Sequence, residues 1–169
     1  MSNTYFPNTV NGLQPAEEEI LWRTLTGGRF QTVSDLRHIS NPACGDLRNR
    51  TQSLAFLNFG MTSLPETISG IELRVEAQRN GRVADDQIQL FYQGDVIGVN
   101  NFYYETDIDG RLPIYNNSTY GGPTDLWGTT ITPEMLRDPD FGVLLKFQSH
   151  PYYPHSSGMQ INLVSLTVY

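Results

Sequence analysis

The chain reads as an all-β protein: a two-sheet antiparallel β-sandwich, jelly-roll-like, with an irregular N-terminal arm and at most short helices. Three observations predict this. Ile71, Leu73, Val75 and Ala77 alternate with Glu72, Arg74, Glu76 and Gln78, the period of a strand with one dry face and one wet face. Further apolar runs at 87–93, 141–147 and 159–169 are separated by Gly, Pro and Asn punctuation, the pattern of successive strands. Helical patterns between these runs are too few for a doubly wound sheet.

The first 50 residues are the least regular. Met1–Gln14 is polar and Asn-rich, broken by Tyr5, Phe6 and Val10, and reads as a peripheral arm. Pro15 opens a candidate short helix through Trp22 to Leu25, with Glu17, Glu18 and Glu19 near the positive end of its dipole and Gly27-Gly28 as its stop. A strand over 20–26 is the rival reading, because Thr and Trp favour strands. Residues 29–50 show weak periodicity, with turn signals at Asn41-Pro42 and Gly45-Asp46. The sequence thus divides into 1–50, an irregular segment packing on the sandwich or on a partner, and 51–169, the sandwich.

Ser53–Phe59 reads as a strand with apolar residues on both faces, so both faces are expected to be covered. Residues 60–70, containing Pro65, form a loop. After the amphipathic strand at 71–78, Asn80-Gly81 is the strongest local turn signal in the chain. Gln87–Gln93 puts Ile88, Leu90 and Tyr92 on one face, and Gly94-Asp95 turns the chain back into Val96–Val99, a hairpin in which Gly98 marks a bulge or a close approach. Residues 100–122 hold Phe102, Tyr103, Tyr104, Tyr115 and Tyr120 in loop-forming sequence.

Thr132-Pro133 predicts a helix start, a cap followed by proline at the first position, and Asp138-Pro139 ends that helix within two turns. Phe141, Val143, Leu145 and Phe147 point inward from the next strand. In the closing strand, Met159, Ile161 and Leu163 share one side while Val164, Leu166 and Val168 share the other. That switch of phase predicts a bulge or coverage of both faces.

Composition narrows the function classes. The formal net charge is −7, which repels nucleic acid and anionic membranes. The best basic patch, Arg37, His38, Arg48 and Arg50, is interrupted by Asp35 and Asp46. No apolar stretch is long enough to span a bilayer, and no secretory signal opens the chain. Lys146 is the single lysine beside ten arginines. Arginine suits subunit contacts through its forked hydrogen bonds, and compositional bias explains the ratio equally well. Cys44 is alone and lies in a turn-like stretch, so it neither staples the fold nor builds a thiolate metal site.

Chemistry-bearing motifs are sparse. His38, His150 and His155 lack metal-ligand spacing; His150 and His155 flank one loop, where they read as surface histidines, the alternative being a metal held across the symmetry axis of an oligomer. Asp107-Ile108-Asp109-Gly110 resembles the start of a calcium loop, but its twelfth position is Ser118 rather than Glu. Phosphate-cradling and serine-nucleophile motifs are missing. No cofactor and no catalytic residue is expected. An enzyme would need its groups to converge from distant loops.

The loop tyrosines carry more weight. Tyr103, Tyr104, Tyr115, Tyr120, Tyr152 and Tyr153 fall between the predicted strands. An exposed Tyr buries ring area while its hydroxyl keeps a hydrogen bond, which suits a protein interface or a sugar platform. The plainer reading is that these rings plug the ends of the sandwich. All six stand as candidate partner- or glycan-binding residues.

One set of segments resembles a known family. Leu57-Asn58-Phe59-Gly60, Ile68-Ser69-Gly70-Ile71-Glu72-Leu73-Arg74-Val75-Glu76, Asp86-Gln87-Ile88-Gln89-Leu90 and Val96-Ile97-Gly98 are followed by Tyr120-Gly121-Gly122-Pro123-Thr124-Asp125-Leu126-Trp127-Gly128. Ile131-Thr132-Pro133, Asp140-Phe141-Gly142-Val143 and Val164-Ser165-Leu166-Thr167-Val168-Tyr169 complete the series. In this order, over residues 52–169, they resemble a β-sandwich domain of tailed-bacteriophage structural proteins. The resemblance implies a non-enzymatic virion protein of the head surface, tail, baseplate or fibre, assembled in the host cytoplasm. It implies other virion proteins as partners and a homo-oligomer, a trimer being one candidate; the charge balance separately leads us to expect no nucleic acid and no membrane as partners. The alternative is a carbohydrate-binding module of a tail tip or fibre that uses the loop tyrosines. The long 101–117 loop and the 150–155 loop depart from the family pattern.

Overall fold

The computed structural model describes residues 2–13, 37–39, 50–80, 83–102, 117–149 and 158–169. Along the chain these form β1 (Asn3–Tyr5), β2 (Thr9–Gly12), β3 (Arg37–Ile39), β4 (Leu54–Leu57), β5 (Ile71–Asn80), β6 (Val83–Tyr92), β7 (Asp95–Ile97), β8 (Asn117–Gly121), α1 (Pro133–Arg137), β9 (Phe141–Ser149) and β10 (Gly158–Val168). Two five-stranded sheets result. The first runs β1–β10–β5–β8, with β3 pairing the other end of β10; the second runs β2–β4–β9–β6–β7. Every pairing is antiparallel. The all-β two-sheet expectation holds.

The core lies between the sheets. Ile71, Leu73, Val75 and Ala77 of β5 face Leu54, Phe56, Ile88, Leu90, Phe141, Val143, Leu145 and Phe147 of the second sheet, all buried. Burying each such Leu, Ile, Val or Phe is worth roughly 1.5–3 kcal/mol. The phase switch in the closing strand is a bulge: the register against β5 slips between Ile161 and Leu163. The extra residue returns Val164 to the side of Ile161, so Ile161, Val164, Leu166 and Val168 all enter the core. A second slip, between Asp85 and Gln87 of β6, brings Asp85 to the inner face opposite Phe147.

The two sheets differ on their outer faces. β5 shows half-buried or exposed Glu72, Arg74 and Glu76 there, with Arg74 Nη2 2.6 Å from Glu76 Oε1. The second sheet carries a separate buried cluster of Ala55, Leu57, Phe91 and Leu144, against which Leu13 packs. All of β4 is buried, as its two apolar faces predict. Gly142 sits opposite both Leu57 and Phe91 in this layer. A Cβ there would collide with the Phe56 carbonyl oxygen, so only glycine permits β4 and β9 to approach this closely.

Two features differ from the sequence expectation. The polar N-terminal stretch joins the sandwich: β1 pairs with β10 in one sheet and β2 with β4 in the other. The Asn80-Gly81 turn signal falls partly outside the described residues; β5 and β6, on either side of it, belong to different sheets. The stretch 100–122 contains a strand, β8, paired with β5. Its polar Asn117-Ser118-Thr119 run conceals the alternation, since of the two residues on its inner face, Ser118 is polar and only Tyr120 is aromatic and buried. The reading of 15–25 as a helix or strand lies outside the described residues.

The short helix forms where expected. Thr132 caps it by accepting from the Met135 N–H, Pro133 occupies its first turn, and Asp138 ends it in extended backbone. The β6–β7 hairpin turns through Gln93 (φ 51) and Gly94 (φ 93), the paired positive angles that match strand twist in two-residue turns.

Candidate interaction surface

The β6–β7 hairpin leads into a stretch held rigidly but facing outward. Gly98, at φ 70, passes so close to the Trp127 carbonyl that a Cβ would collide with it, which bears out the close approach expected at this glycine. The Val99 N–H donates to Trp127 O at 2.7 Å and the Asn101 N–H donates to Ile88 O at 2.8 Å. Gln89 Nε2 donates to Gly98 O at 2.7 Å. Asn100 acts as a bracket: its Oδ1 accepts from the Ile88 N–H at 2.8 Å and its Nδ2 donates to Asp86 O at 3.2 Å. The backbone is therefore anchored to the sandwich.

The apolar side chains of this stretch face water nonetheless. Val96 is 43% exposed, Val99 50% and Phe102 45%. A fixed backbone presenting exposed apolar side chains loses little entropy on binding, which favours a partner. The sequence reading marked Gly98 but did not select these residues. The legible signal was a glycine between Ile97 and Val99 at the end of an edge strand.

Trp127 supplies the anchor. Its side chain is fully buried, its indole N–H donates to Ile71 O at 2.9 Å, and its backbone N–H donates to Asp125 Oδ1 at 2.7 Å. Its φ of 58 is unusual for a bulky residue and persists only where surrounding contacts over-determine it. Gly121 leaves the space the indole needs. Trp127 thus ties β5 of one sheet to the exposed strip beside the other.

Of the predicted site residues, Tyr120 is corrected. It lies in β8, is buried, and donates through its hydroxyl to Asp85 Oδ2 at 2.7 Å, so it faces the core rather than a partner. Tyr103, Tyr104, Tyr115, Tyr152 and Tyr153 lie outside the described residues, as do Cys44, Arg48, His150, His155 and Asp107–Gly110. The residues that flank these segments can be placed. Gly158 pairs with both Asn80 and Ile39, Val83 pairs with Ser149, and Arg50 bridges to Gln148. Asn117 pairs with Glu76 and Asn101 bonds Ile88, each near the middle of its partner strand. The described residues that bound 40–49, 81–82 and 150–157 therefore lie toward one end of the sandwich.

Charge at that end is mixed. Arg50 Nε lies 3.5 Å from Asp86 Oδ2, and Lys146 Nζ lies 3.9 Å from the same oxygen. Arg37 and His38 belong to β3. At the opposite end, Tyr92 donates to Asp138 Oδ2 at 3.3 Å, and the Asp140 N–H donates to Asp138 Oδ1 at 2.9 Å. The backbone bond from Asp140 is the main influence holding the Asp138 carboxyl below its usual range, with Gln93 and Tyr92 assisting. Burial, followed by the Asp138 charge, raises the Tyr92 phenol above its usual range. A neutral phenol beside a carboxylate clamps the β6–β7 turn to the segment after α1. Among the described residues no group of His, Cys, Asp and Glu is arranged to hold a metal, and no described helix is long and apolar enough to cross a membrane.

Comparison with protein-family models, curated proteins and solved structures yields no match to this chain.

Proposed function

We propose that this chain is a non-enzymatic structural subunit of a tailed-bacteriophage virion that attaches to or stabilises other virion proteins through its surface. The observation that carries the reading is the Val96–Phe102 strip, apolar and exposed on a backbone locked by Trp127, Ile88 and Asn100. Contact surfaces of assembling proteins use fixed apolar anchors of this kind.

Strand order supports the jelly-roll form of the reading. β3–β10–β5–β8 oppose β4–β9–β6–β7, and from β3 to β10 each connection except the β6–β7 hairpin passes between sheets. Jelly rolls serve in viral coats and in lectins, and a fold by itself does not select between such uses. The resemblance to phage structural domains tips the choice toward the virion. Its segments occupy framework positions here: Trp127, Gly142 and the Thr132 cap all shape the scaffold.

The test is to purify particles of the phage that encodes the chain and probe them with a specific antibody. The expected result is a fixed copy number in the particle fraction. Recovery only from the soluble lysate would overturn the reading.

A glycan-binding module is the second reading. Phe102, 45% exposed, directly precedes Tyr103 and Tyr104, so an aromatic run begins on anchored backbone. Binding on a glycan array that is lost in Phe102→Ala would favour it over the structural role.

A further inference from the structure

Residues 2–13 lie across the edges of both sheets. Among the described strands, β1 pairs only with β10, Asn3–Tyr5 against Leu166–Val168, and β2 only with β4, Thr9–Gly12 against Leu54–Leu57. What holds this segment differs from what it covers. Not one of residues 2–13 is buried, and Phe6 in the link between the strands is 53% exposed. Leu54, Ala55, Phe56, Leu166 and Val168 in the strands it covers are fully buried. Beyond the two ladders, the attachment is mainly hydrogen bonds to main-chain carbonyls. The Asn8 N–H donates to Leu57 O and Asn58 O at 3.2 and 3.0 Å, and the Leu13 N–H donates to Ser53 O at 3.0 Å. Asn3 Nδ2 donates to Ser63 O at 2.7 Å, an acceptor shared with the Tyr5 hydroxyl. Apolar support comes from half-buried Tyr5, Val10 and Leu13. Segments with few buried apolar contacts and solvent-exposed hydrogen bonds open well below the free energy of global unfolding.

We propose that residues 2–13 form a clasp that releases from both sheets as one unit while the sandwich behind it stays folded. This behaviour is independent of any virion role. The link couples the two strands. From Tyr5 to Thr9 the chain reaches at most roughly 14 Å, and packed sheets stand ~10 Å apart, so neither strand moves far without drawing on the other. Release bares the Leu54–Leu57 edge, whose strand is apolar on both faces, together with the β10 edge at Leu166–Val168. It also frees the Asn58 and Ser63 carbonyls in the connection before β5. Unpaired strand edges take up extended segments. The clasp therefore governs when this side of the molecule is open to pairing.

The test is native-state hydrogen exchange on the full chain in low urea. The amides of Asn8 and Leu13 and the ladder amides of β1 and β2 are expected to share one level of protection, roughly 100-fold or more below that of β5 and β9. A second measurement uses Thr4→Cys with Thr167→Cys, in a Cys44→Ser background that removes the competing thiol. Thr4 and Thr167 stand opposite each other in the ladder with their hydroxyl oxygens 3.0 Å apart, a placement that suits a disulfide. Oxidation should raise the protection of the β2 amides roughly tenfold or more along with those of β1, and reduction should restore the original values. Amides of β1 and β2 that exchange only together with the core strands would overturn the proposal. So would a bridge that protects β1 and leaves β2 unchanged, since the two strands would then fray separately.

Discussion

The Tyr120 hydroxyl, on β8 of one sheet, donates a 2.7 Å hydrogen bond to the Asp85 carboxylate, on β6 of the other. Both residues are buried, so the bond spans the core between the two sheets. The bulge that follows Asp85 makes this possible by bringing its side chain to the inner face.

Tyr120→Phe keeps the ring and removes that donor. Leaving a buried acceptor short of a partner costs about 1–3 kcal/mol. Urea denaturation should show that loss, whereas Thr119→Val on the exposed face should stay within about 0.5 kcal/mol of wild type. Equal midpoints for the two variants would refute the cross-sheet role.

Leu73 and Arg74 are adjacent and face opposite ways. Leu73 is fully buried, while the Arg74 side chain is 53% exposed. Leu73→Ala should cost about 2–5 kcal/mol through lost transfer energy and a cavity. Leu73→Asp should abolish soluble folded protein, and Arg74→Ser should express and melt like wild type.

Gly142 and Gly122 make a matched pair for backbone approach. A methyl at Gly142 would collide with Phe56 O, while one at Gly122 meets nothing within 4 Å. Gly142→Ala should reach or exceed the ~1–3 kcal/mol usual for overpacking. Gly122→Ala should be near neutral. Comparable thermal shifts in both would show that β4 and β9 do not approach as described.

The Tyr92–Asp138 clamp sets a pH dependence with opposite signs at the two extremes. Asp138 is held below its ordinary 3.8 in the folded state, so its contribution is complete above that value and is lost as pH falls through the lowered folded value. Tyr92 is held above its ordinary 10.0, so its contribution is complete below pH 10 and fades as pH rises through the raised value. Asp138→Asn should flatten the acid side of the stability profile, and Tyr92→Phe the alkaline side. An Asp138→Asn profile that parallels wild type below pH 4 would contradict the first assignment.

What the sequence revealed tracks the strength of its local signals. β5 and β9 were legible because their alternation is nearly unbroken, and Thr132-Pro133 because capping chemistry is local. The bulge in β10 was legible as a change of phase between Ile161 and Val164. β1, β2 and β8 were not, because short polar edge strands expose most of their side chains and lean on partners distant in sequence. Asn80-Gly81 carries a turn signal, yet a two-residue connection cannot report whether the next strand pairs with its predecessor or crosses to the opposite layer. Tyr120 was grouped with the loop tyrosines because its strand neighbours look like loop. The Val96–Phe102 strip stayed hidden because exposure depends on Trp127 and Ile88, which hold its backbone from afar.

The place of β10 has a consequence for biosynthesis. It lies between β5 on one side and β1 and β3 on the other, with Asn3 opposite Val168. The middle of the first sheet is therefore translated last. Until residues 158–168 leave the ribosome, β5 lacks its β10 partner and β1 has no strand of its sheet to pair with, the non-local pairing that makes β folds slow to form.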